Sequence, residues 1–427
     1  MVVQFASISA IEILDSRGRP TLSVRARLTN GVRTDAGVPS GASTGSREAV
    51  ELRDQDDRYA GMGVRRAVAH VNGPIADALT DRPFTSLEQI DQTLCDLDGT
   101  ADKSRLGANA IVGVSMAAAR AFAITSAQPL WEWLTPDGIR ARLPVPHFNV
   151  VNGGVHALNG LDFQEFMIAP LGAPSLPESI RAGAEVYRRL RSVLSDRGLS
   201  TGLGDEGGFA PEIDCPEEVL ALLTQAITAA GYPPGPAGVA IALDPAASGF
   251  HRDGRYLVGG ESLSSDDLID RYVSIVDNYP VYSIEDGMGE GDTTGWQMLT
   301  EKLGDRIQLV GDDNFVTNPE IIASAVRDGI GNAALIKVNQ IGTVSETLEA
   351  LGVCRRAGYG AMISHRSGET DDPFIADLAV GAGCGQIKSG APARGERVAK
   401  YNRLLDIANA AAELPFGLPA RAHHQSG

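Results

Sequence analysis

Between residues 237 and 390 one pattern recurs five times, in Val239-Ala-Ile-Ala-Leu-Asp244, Val281-Tyr-Ser-Ile-Glu285, Ile307-Gln-Leu-Val-Gly-Asp312, Ala334-Leu-Ile-Lys337 and Ala361-Met-Ile-Ser-His365. In each copy a short apolar run ends on an ionisable residue, and a loop and a helical pattern follow. A weaker sixth copy is Gly385-Gln-Ile-Lys388. Continuous apolar runs between helices are typical of parallel strands that are buried on both faces. The stretch therefore predicts strands that alternate with helices.

Such alternation indicates a β/α barrel or an open parallel sheet. In a barrel the carboxyl ends of the strands meet at one mouth, where active sites lie. A single charged residue at a loop position is usually solvated, but six in the same register favour one shared pocket. The residues concerned are Asp244, Glu285, Asp312, Lys337, His365 and Lys388.

The residues before this stretch predict a smaller N-terminal domain. Residues 3–38 alternate apolar and polar positions around two turn signals, which predicts a three-stranded antiparallel meander. Helical patterns follow at 45–54, 61–71, 86–97 and 107–127, and the last is apolar nearly all round, as in a buried helix. A segment rich in Pro and Gly, residues 135–146, marks a boundary. We predict an N-terminal α+β domain over residues 1–135, a barrel over 143–415 and a flexible tail over 416–427.

The early part of the barrel predicts strands at 145–151 and 161–169, and helices at 177–197 and 216–231. Two loops near the predicted mouth are ambiguous. The small-residue loop 39–45 lacks the spacing of a phosphate-binding P-loop, so it is either a mobile connection or a lid. The acidic pair in Gly204-Asp-Glu-Gly-Gly208 is either a surface turn or part of a site.

Composition narrows the partners and the compartment. The net charge of -17 and the sequence pI of about 4.9 argue against nucleic acid and anionic membranes as partners. The four cysteines are far apart and form no CxxC pair, which predicts free thiols in a reducing compartment. No apolar run approaches the ~18 residues of a membrane span, and the N-terminus lacks a signal peptide pattern. We therefore predict a cytoplasmic protein.

The residues at the strand ends suggest a specific chemistry. Three carboxylates, Asp244, Glu285 and Asp312, repel one another unless a cation or a proton intervenes. An all-oxygen set suits Mg²⁺, and the absence of Cys or His in step with it argues against zinc there. Lys337 would lie beside that cation, which would lower its pKa and free its amine to accept a proton. The set predicts metal-assisted removal of a proton α to a carboxylate, on a small polyanion.

Lysine usage supports this reading. The chain has 37 basic residues, of which only five are lysines, and two of those five stand at the predicted mouth. An arginine cannot lose its proton in a protein, whereas a desolvated lysine can serve as a base.

Longer strings of residues resemble the enolase family over about residues 8–412. They are Ser40-Gly-Ala-Ser-Thr-Gly45, Gln164-Glu-Phe-Met-Ile-Ala-Pro170, Gly204-Asp-Glu-Gly-Gly-Phe-Ala-Pro211, Lys337-Val-Asn-Gln-Ile-Gly342, Ser364-His-Arg-Ser-Gly-Glu-Thr370 and Gln386-Ile-Lys388. The resemblance implies an α/β protein with a modified TIM-like barrel, whose early units depart from regular alternation, and an N-terminal α+β domain. It also implies dehydration of 2-phosphoglycerate to phosphoenolpyruvate.

The resemblance also implies roles for individual residues. Asp244, Glu285 and Asp312 would bind the first Mg²⁺, and Ser40 on the lid loop would join a second, substrate-dependent Mg²⁺. Lys337 would remove the proton, while Glu206, helped by Glu165, would protonate the departing hydroxyl. The residues implied to bind or close over the substrate are His156, Gln164, His365, Arg366, Ser367 and Lys388.

Two departures from the family pattern bear on assembly and substrate. Four positions that carry interface ion pairs in the family are changed here, to Ile11, Ser23, Asp406 and Asn409. A homo-oligomer would therefore need an atypical dimer interface. Val155 replaces a serine in the loop at 152–157, which leaves open an enolase-like enzyme for a phosphonoformyl analogue, of the carboxyphosphonoenolpyruvate synthase type. A non-catalytic binding protein is a third reading, although every catalytic position is kept.

Overall fold

The computed structural model describes residues 1–42 and 44–419. Ser43 of the small-residue loop and residues 420–427 of the predicted tail lie outside the described residues. Within them, the chain forms an N-terminal α+β portion followed by a closed eight-stranded barrel with helices around it. The predicted fold class is confirmed.

The N-terminal portion is built on the predicted meander. Strands β1, β2 and β3 pair in antiparallel order, and a short strand β4 adds to the free edge of β1. The bounds of the elements are β1 Val3–Leu14, β2 Pro20–Leu28, β3 Arg33–Gly37, α1 Arg65–His70, α2 Ala76–Leu79, β4 Pro83–Phe84, α3 Leu87–Asp98, α4 Ala108–Thr125 and α5 Leu130–Trp133. A π-helical turn, Val71–Ile75, joins α1 to α2 and contains Pro74.

The small residues of α4 let it pack tightly against the meander. A Cβ added at Gly113 would lie 2.6 Å from Cγ2 of Val24, so only glycine permits this approach. By length and composition α4 is long and apolar enough to cross a membrane, with 18 residues and a mean hydropathy of 1.4. The prediction that no apolar run approaches the length of a membrane span is therefore wrong. However, 83% of α4 is buried inside the protein, as in a core helix.

The predicted helix over residues 45–54 is wrong. The backbone N–H groups of this segment bond to distant carbonyls instead of to the preceding turn: Ala49 N donates to Gln340 O and Val50 N donates to Asp102 O, each at 2.8 Å. These bonds tie the segment to the barrel and to the rest of the N-terminal portion. Local periodicity suggested a helix, but long-range partners for the backbone decided the structure.

The barrel has the strand order β11-β12-β13-β14-β15-β5-β6-β7. Seven strands run parallel, and β6 alone among the barrel strands runs antiparallel to both of its neighbours. The strands are β5 Val145–Asn152, β6 Glu165–Ala169, β7 Ala240–Asp244, β8 His251–Arg252, β9 Arg255–Val258, β10 Glu261–Leu263, β11 Val281–Glu285, β12 Gln308–Gly311, β13 Ala333–Ile336, β14 Gly360–Ser364 and β15 Gln386–Lys388. Strands β8 to β10 form a separate antiparallel sheet after β7.

Helices connect and flank the strands of this barrel, and the short helix Val338–Ile341 lies at its mouth. The helices are α6 Leu176–Asp196, α7 Pro216–Ala229, α8 Ser265–Asn278, α9 Thr293–Leu303, α10 Pro319–Arg327, α11 Val338–Ile341, α12 Val344–Ala357, α13 Phe374–Ala382 and α14 Gly395–Ala410. Two helices, α6 and α7, follow β6 before β7 begins, so the early units depart from regular alternation as the resemblance implied. After the last helix, Phe416 forms a bridge with Leu143.

Asp91 joins the N-terminal portion to the barrel. It lies on α3, is buried, and its Oδ2 accepts a hydrogen bond at 3.0 Å from the backbone N–H of Ser345, at the start of α12. Beside it, Ser115 Oγ accepts from Val344 N at 2.9 Å. Burial raises the pKa of Asp91 from 3.8 to about 6, although bonds to Ser345 and Ser115 oppose the shift.

We expect Asp91→Asn to stabilise the protein at pH 8. A carboxyl whose folded pKa is raised costs stability above that pKa, and the cost disappears as the pH falls from about 6 towards 3.8. The difference between the folded pKa of Asp91 and its ordinary value corresponds to about 3 kcal/mol of unfolding free energy. Asparagine removes this cost and keeps an acceptor for the Ser345 N–H. Urea unfolding should show that the variant has a higher free energy of unfolding than the unchanged protein at pH 8, and that this difference is smaller at pH 5. Asp96→Asn, an exposed change on the same helix, should show no such pH dependence.

The barrel interior contains a polar layer beneath the mouth. The Tyr282 hydroxyl donates to Nε2 of the fully buried His147, whose Nδ1 lies 3.2 Å from Val145 O. Gln386 Nε2 donates to Gln308 Oε1 at 2.9 Å, across the barrel from β15 to β12. Burial lowers the pKa of His147 to about 4, so its ring is neutral and accepts this bond at neutral pH.

Removing the Tyr282 hydroxyl should therefore destabilise the protein. In Tyr282→Phe, Nε2 of His147 would lose its donor in a buried position, which costs about 1–3 kcal/mol. Thermal or urea unfolding measures this change. Tyr59→Phe removes a hydroxyl from a ring that is 48% exposed, and it should leave stability unchanged. Equal unfolding midpoints for the two variants would contradict the assigned hydrogen bond.

Candidate active site

The carboxyl ends of the parallel strands meet at one mouth, as the repeated pattern predicted. Strands β7, β11 and β15 end on Asp244, Glu285 and Lys388, while Asp312 and Lys337 directly follow β12 and β13. A cavity at this mouth is lined by His156, Gln164, Glu165, Glu206, Asp244, Lys337, Ser364, His365, Arg366, Ser367 and Lys388. Nearly all of its lining is polar and buried.

Lys388 lies among three carboxylates. Its Nζ is 2.7 Å from Glu285 Oε1, 3.1 Å from Glu165 Oε2 and 3.5 Å from Asp244 Oδ2. Burial lowers the pKa of Lys388, but the three carboxylates outweigh burial and hold the pKa well above its usual value. One ammonium thus faces three acids, and the cluster carries an excess of negative charge.

Together with burial, this excess negative charge raises the pKa of two of the carboxyl groups, Glu285 and Glu165. Burial and the charge of Asp244 raise the pKa of Glu285 well above its ordinary value. Burial and the charge of Glu206 do the same for the pKa of Glu165. These directions agree with the expectation that packed carboxylates need a cation or a proton.

Lys337 pairs with Asp312. Its Nζ donates to Asp312 Oδ2, while Gln340 Nε2 donates to Asp312 Oδ1 at 2.8 Å. Burial lowers the pKa of Lys337, but the Asp312 carboxylate outweighs burial, so the pKa is raised. The protein's own groups thus raise this pKa, because a carboxylate faces Lys337. The lowering was predicted for Lys337 beside a bound dication, and it stays a prediction.

The antiparallel strand β6 brings the second acidic group to the mouth. Glu165 stands opposite Asp244 in the β6–β7 register. Glu206 lies near Glu165: Asn149 Nδ2 of β5 donates to Glu206 Oε2 at 2.9 Å, and His365 Nε2 lies 3.2 Å from the same oxygen. Both glutamates are buried, so the 204–208 loop is part of the site and is not a surface turn.

Arg366 and Ser367 lie at the side of the cavity that faces the N-terminal portion. Arg366 Nη1 donates to Glu48 Oε2 at 2.8 Å and to Asn339 Oδ1 at 3.1 Å. Arg17 Nη1 donates to Ser367 Oγ at 3.2 Å. The segment that was predicted as a helix therefore supplies Glu48, which orients a cationic side chain of the site.

Ser40 lies behind the cavity lining. Its backbone pairs with Gly368, its Oγ accepts from Arg53 Nη2 at 2.8 Å, and the side chain is fully buried. Next to it, Gly41 approaches Arg366 so closely that an added Cβ would lie 2.0 Å from Nη2. The loop therefore rests directly on a residue of the cavity lining.

Sequence reasoning missed the residues that orient the site. Asn149 carried a signal, since it is an amide flanked by the apolar residues Phe148 and Val150 in the fully buried strand Val145–Asn152. Arg397 carried none: it lies on α14 and donates from Nη1 to His365 Nδ1 and, at 2.7 Å, to Arg366 O. Its contacts join elements about 30 residues apart, which no local pattern reveals.

The strand-end carboxylates fit a hard dication. Asp244, Glu285 and Asp312 offer oxygen ligands alone, as Mg²⁺ prefers. Oε2 of Glu285 is buried and has no hydrogen-bond partner among the described residues, so it is available as a ligand. Asp286 supports the neighbouring turn, because its two oxygens accept from the backbone N–H groups of Asp312 and Asp313 at 2.8 and 2.9 Å.

Comparison with known proteins covers nearly the whole chain. Residues 5–134 match the family model described as "Enolase, N-terminal domain", and residues 140–416 match "Enolase, C-terminal TIM barrel domain". The chain is also 52% identical over 415 residues to a protein named "Enolase" from Rubrobacter xylanophilus. That alignment covers 96% of both chains.

Proposed function

The chain belongs to the enolase family, and we propose from its geometry how it dehydrates 2-phosphoglycerate to phosphoenolpyruvate and water. The protein is a carbon–oxygen lyase. The observation that carries the assignment of roles is the separation of the site into two halves. A buried lysine, Lys337, stands beside the metal-type carboxylates, and a buried pair, Glu165 and Glu206, stands across the cavity.

Lys337 is the general base that removes the proton from C2 of the substrate. It lies at the end of β13 with its ammonium in the cavity lining, and Asp312 and Gln340 fix its position. A general base must be the neutral amine, whereas the Asp312 carboxylate favours the ammonium form of Lys337. A cation must therefore neutralise the Asp312 charge when substrate binds. The ligands Asp244, Glu285 and Asp312 would engage Mg²⁺ for this purpose.

Magnesium supplies neutralisation of the negative charge that develops on the substrate carboxylate. We assign the first ion to those three carboxylates and a second, substrate-dependent ion to the region of Ser40. The second assignment rests on the family resemblance, and the buried position of Ser40 beside Arg53 means that its loop must rearrange to reach the cavity.

Glu165 and Glu206 together hold the proton for the departing C3 hydroxyl. Burial and the charge of Glu206 raise the pKa of Glu165 well above its usual value, whereas the charges of His365 and His156 outweigh burial and hold the pKa of Glu206 well below its own. The proton of the pair therefore lies on Glu165 before substrate binds and would pass to Glu206 for delivery. Asn149 donates to Glu206 Oε2 and keeps that oxygen an acceptor. We assign delivery of the proton to Glu206, with Glu165 as its partner.

The remaining lining residues hold the substrate. Lys388 pairs with its carboxylate, while Arg366 and Ser367 bind the phosphate, supported by the positions that Glu48 and Arg17 give them. Gln164, His156 and His365 complete the enclosure of the substrate. Charged groups in a buried cavity make stronger interactions than they do in water, which favours tight and oriented binding.

The activity is tested by the ultraviolet absorbance of the enol product after purified protein is added to 2-phosphoglycerate and Mg²⁺. We expect turnover of ~10 s⁻¹ or more, as in ordinary metabolic enzymes. Chelation of the metal should abolish the signal, and renewed Mg²⁺ should restore it. A folded, metal-binding protein without turnover would contradict the assignment. The phosphonoformyl alternative is not favoured, because the 52% identical relative is named Enolase.

We also propose a homo-oligomer with an atypical interface, in the cytoplasm. Ile11 and Ser23 stand opposite each other on β1 and β2, and Ile11 is 43% exposed. Asp406 of α14 pairs with Arg403 of the same helix at 2.6 Å, so it has a partner within its own chain. The ion pairs typical of the family interface have no counterpart at these positions. The four free cysteines agree with a reducing compartment.

A further inference from the structure

Arg366, to which we assign the substrate phosphate, already pairs with an anion of the protein itself. Its Nη1 donates to Glu48 Oε2 at 2.8 Å and its Nη2 donates to Glu48 Oε1 at 3.2 Å. The side chain of Arg366 is 3% exposed and that of Glu48 is 8% exposed. A guanidinium binds carboxylate and phosphate most strongly in this two-oxygen geometry. A carboxylate of the chain thus uses the donors that a phosphate would use.

The other donors to Glu48 are neutral. Its Oε1 accepts from the backbone N–H of Gly45 at 3.0 Å and from Gln340 Nε2 at 3.2 Å. These groups fix the position of the carboxylate, but the guanidinium balances its charge. A glutamine at this position would therefore remove the charge, while its amide oxygen can still accept from Gly45 N.

This pair affects what a phosphate must overcome in order to bind. A buried guanidinium keeps its charge, and a buried charge requires a partner of opposite sign. Burial lowers the pKa of Arg366, but Glu48, the strongest of the nearby charges, outweighs burial and raises it. Two anions on one guanidinium repel each other. An incoming phosphate must therefore displace Glu48 or share the guanidinium with it.

We propose that Glu48 is an internal competitor of the substrate phosphate, which occupies Arg366 in the free enzyme and sets the affinity for phosphate-bearing ligands. The proposal rests on the assignment of Arg366 to the phosphate. Glu48 acts through Arg366, so it is a positioning residue. It stabilises the buried guanidinium before substrate arrives, and it makes the enzyme bind its substrate and its product less tightly than Arg366 alone would.

Inorganic phosphate is the probe, because it carries the group in question and does not react. Its dissociation constant is measured by calorimetry on the full-length protein in the presence of a chelator. We expect phosphate to bind Glu48→Gln at least about tenfold more tightly than it binds the unchanged protein, the size of one charge-assisted hydrogen bond. Equal or weaker binding would overturn the proposal, since Glu48 would then only orient Arg366.

Matched variants locate the effect. Glu346→Gln removes a carboxylate that pairs with Lys103 at 2.9 Å, and it should leave the affinity for phosphate unchanged. The double change Glu48→Gln with Arg366→Gln should lose the gain. A gain that survives in the double variant would show that phosphate binds elsewhere, against the proposal.

Glu48→Asp keeps the test decisive if Glu48→Gln does not fold. Aspartate retains the charge but is shorter by one methylene, which weakens the two-oxygen contact with Arg366. We expect this variant to bind phosphate more tightly than the unchanged protein and less tightly than Glu48→Gln. An affinity no higher than that of the unchanged protein would contradict the competition.

Unfolding gives an independent measurement of the same exchange. Glu48→Gln leaves the buried guanidinium without its paired charge, so the unfolding midpoint should fall in the absence of phosphate. At one saturating phosphate concentration, the midpoint of the variant should rise by more than that of the unchanged protein, because a more tightly bound ligand stabilises more. Equal phosphate-induced shifts in the two proteins would count against the proposal.

Turnover separates this role from a merely structural one. The phosphate takes no part in the bonds that change, so stronger phosphate binding lowers KM without raising kcat. We expect Glu48→Gln to lower the KM for 2-phosphoglycerate, whereas a disturbed Arg366 would raise it. Tighter phosphate binding in a protein without turnover would contradict the proposed function alone. Turnover with an unchanged affinity for phosphate would overturn the competition alone.

Discussion

Replacement of Lys337 by alanine is expected to lower kcat by about 10⁴-fold, the upper end of what a general base contributes. Lys337 is buried at the end of β13 and is the only side chain that we assign to remove the C2 proton. The change also removes the ammonium group that pairs with Asp312. The Asp312 carboxylate is then free of that competing cation and can bind Mg²⁺ at least as strongly. Mg²⁺ binding should therefore be unchanged or tighter. Turnover and calorimetric Mg²⁺ binding are measured on the same preparation.

Exchange of the C2 proton with solvent gives a more specific measurement for Lys337→Ala. A variant that lacks the base should show no exchange into substrate, even where slow turnover persists by another route. The matched control is Lys302→Ala, an exposed change on α9, which should keep full activity. If Lys337→Ala retained turnover within tenfold of the unchanged protein, another residue would have to be the base.

Lys388→Met is expected to produce the largest loss of stability. Glu285, Glu165 and Asp244 would then share the buried mouth without their common ammonium. Removal of one partner from a buried ion pair typically costs about 3–5 kcal/mol. We expect urea unfolding in the presence of a chelator to show a loss of that size. Mg²⁺ should recover part of this loss, because we assign two of the same carboxylates, Asp244 and Glu285, as its ligands.

The same change should lower kcat/KM, since we assign Lys388 to the substrate carboxylate. A loss of about 1.5–3 kcal/mol per charged hydrogen bond corresponds to roughly 10- to 150-fold. Lys302→Met serves as the control for loss of a lysine charge at an exposed position. A Lys388→Met protein that is as stable as the unchanged one in chelator would contradict the assigned ion-pair cluster.

The directions of the pKa shifts are a consequence of packing that the sequence did not reveal. Of the carboxylates predicted to repel one another, Glu285 has a pKa raised by burial and by the charge of Asp244, whereas the charge of Lys337 outweighs burial and lowers the pKa of Asp312. The pKa of Lys337, however, is raised and not lowered, because Asp312 lies against it. The positions of the strand ends in the sequence predict which residue types meet at the mouth. Only the side-chain positions in the structure show whether a neighbouring group raises or lowers each pKa.

The fold of the barrel could be predicted from local pattern because its later strands are short, mainly apolar runs that end at an ionisable residue. A strand that is buried on both faces consists mainly of apolar residues, so the sequence pattern predicts strands such as Val281–Glu285. The direction of β6 was not visible, since an antiparallel strand in the same barrel has the same composition. The pairing of Glu165 with Asp244, which depends on that direction, came only with the structure.

The sequence by itself determined the strand ends, the residue types at the mouth and, through its long shared strings, the family. Tertiary structure alone decided that residues 45–54 are not helical, that Asn149 and Arg397 orient the acidic half of the site, and that the ring of His156 is buried with no hydrogen-bond partner among the described residues. The physical reason is separation along the chain. Apolar periodicity is local, whereas the hydrogen bonds and charges that set these positions join residues that lie about 30 to 290 positions apart.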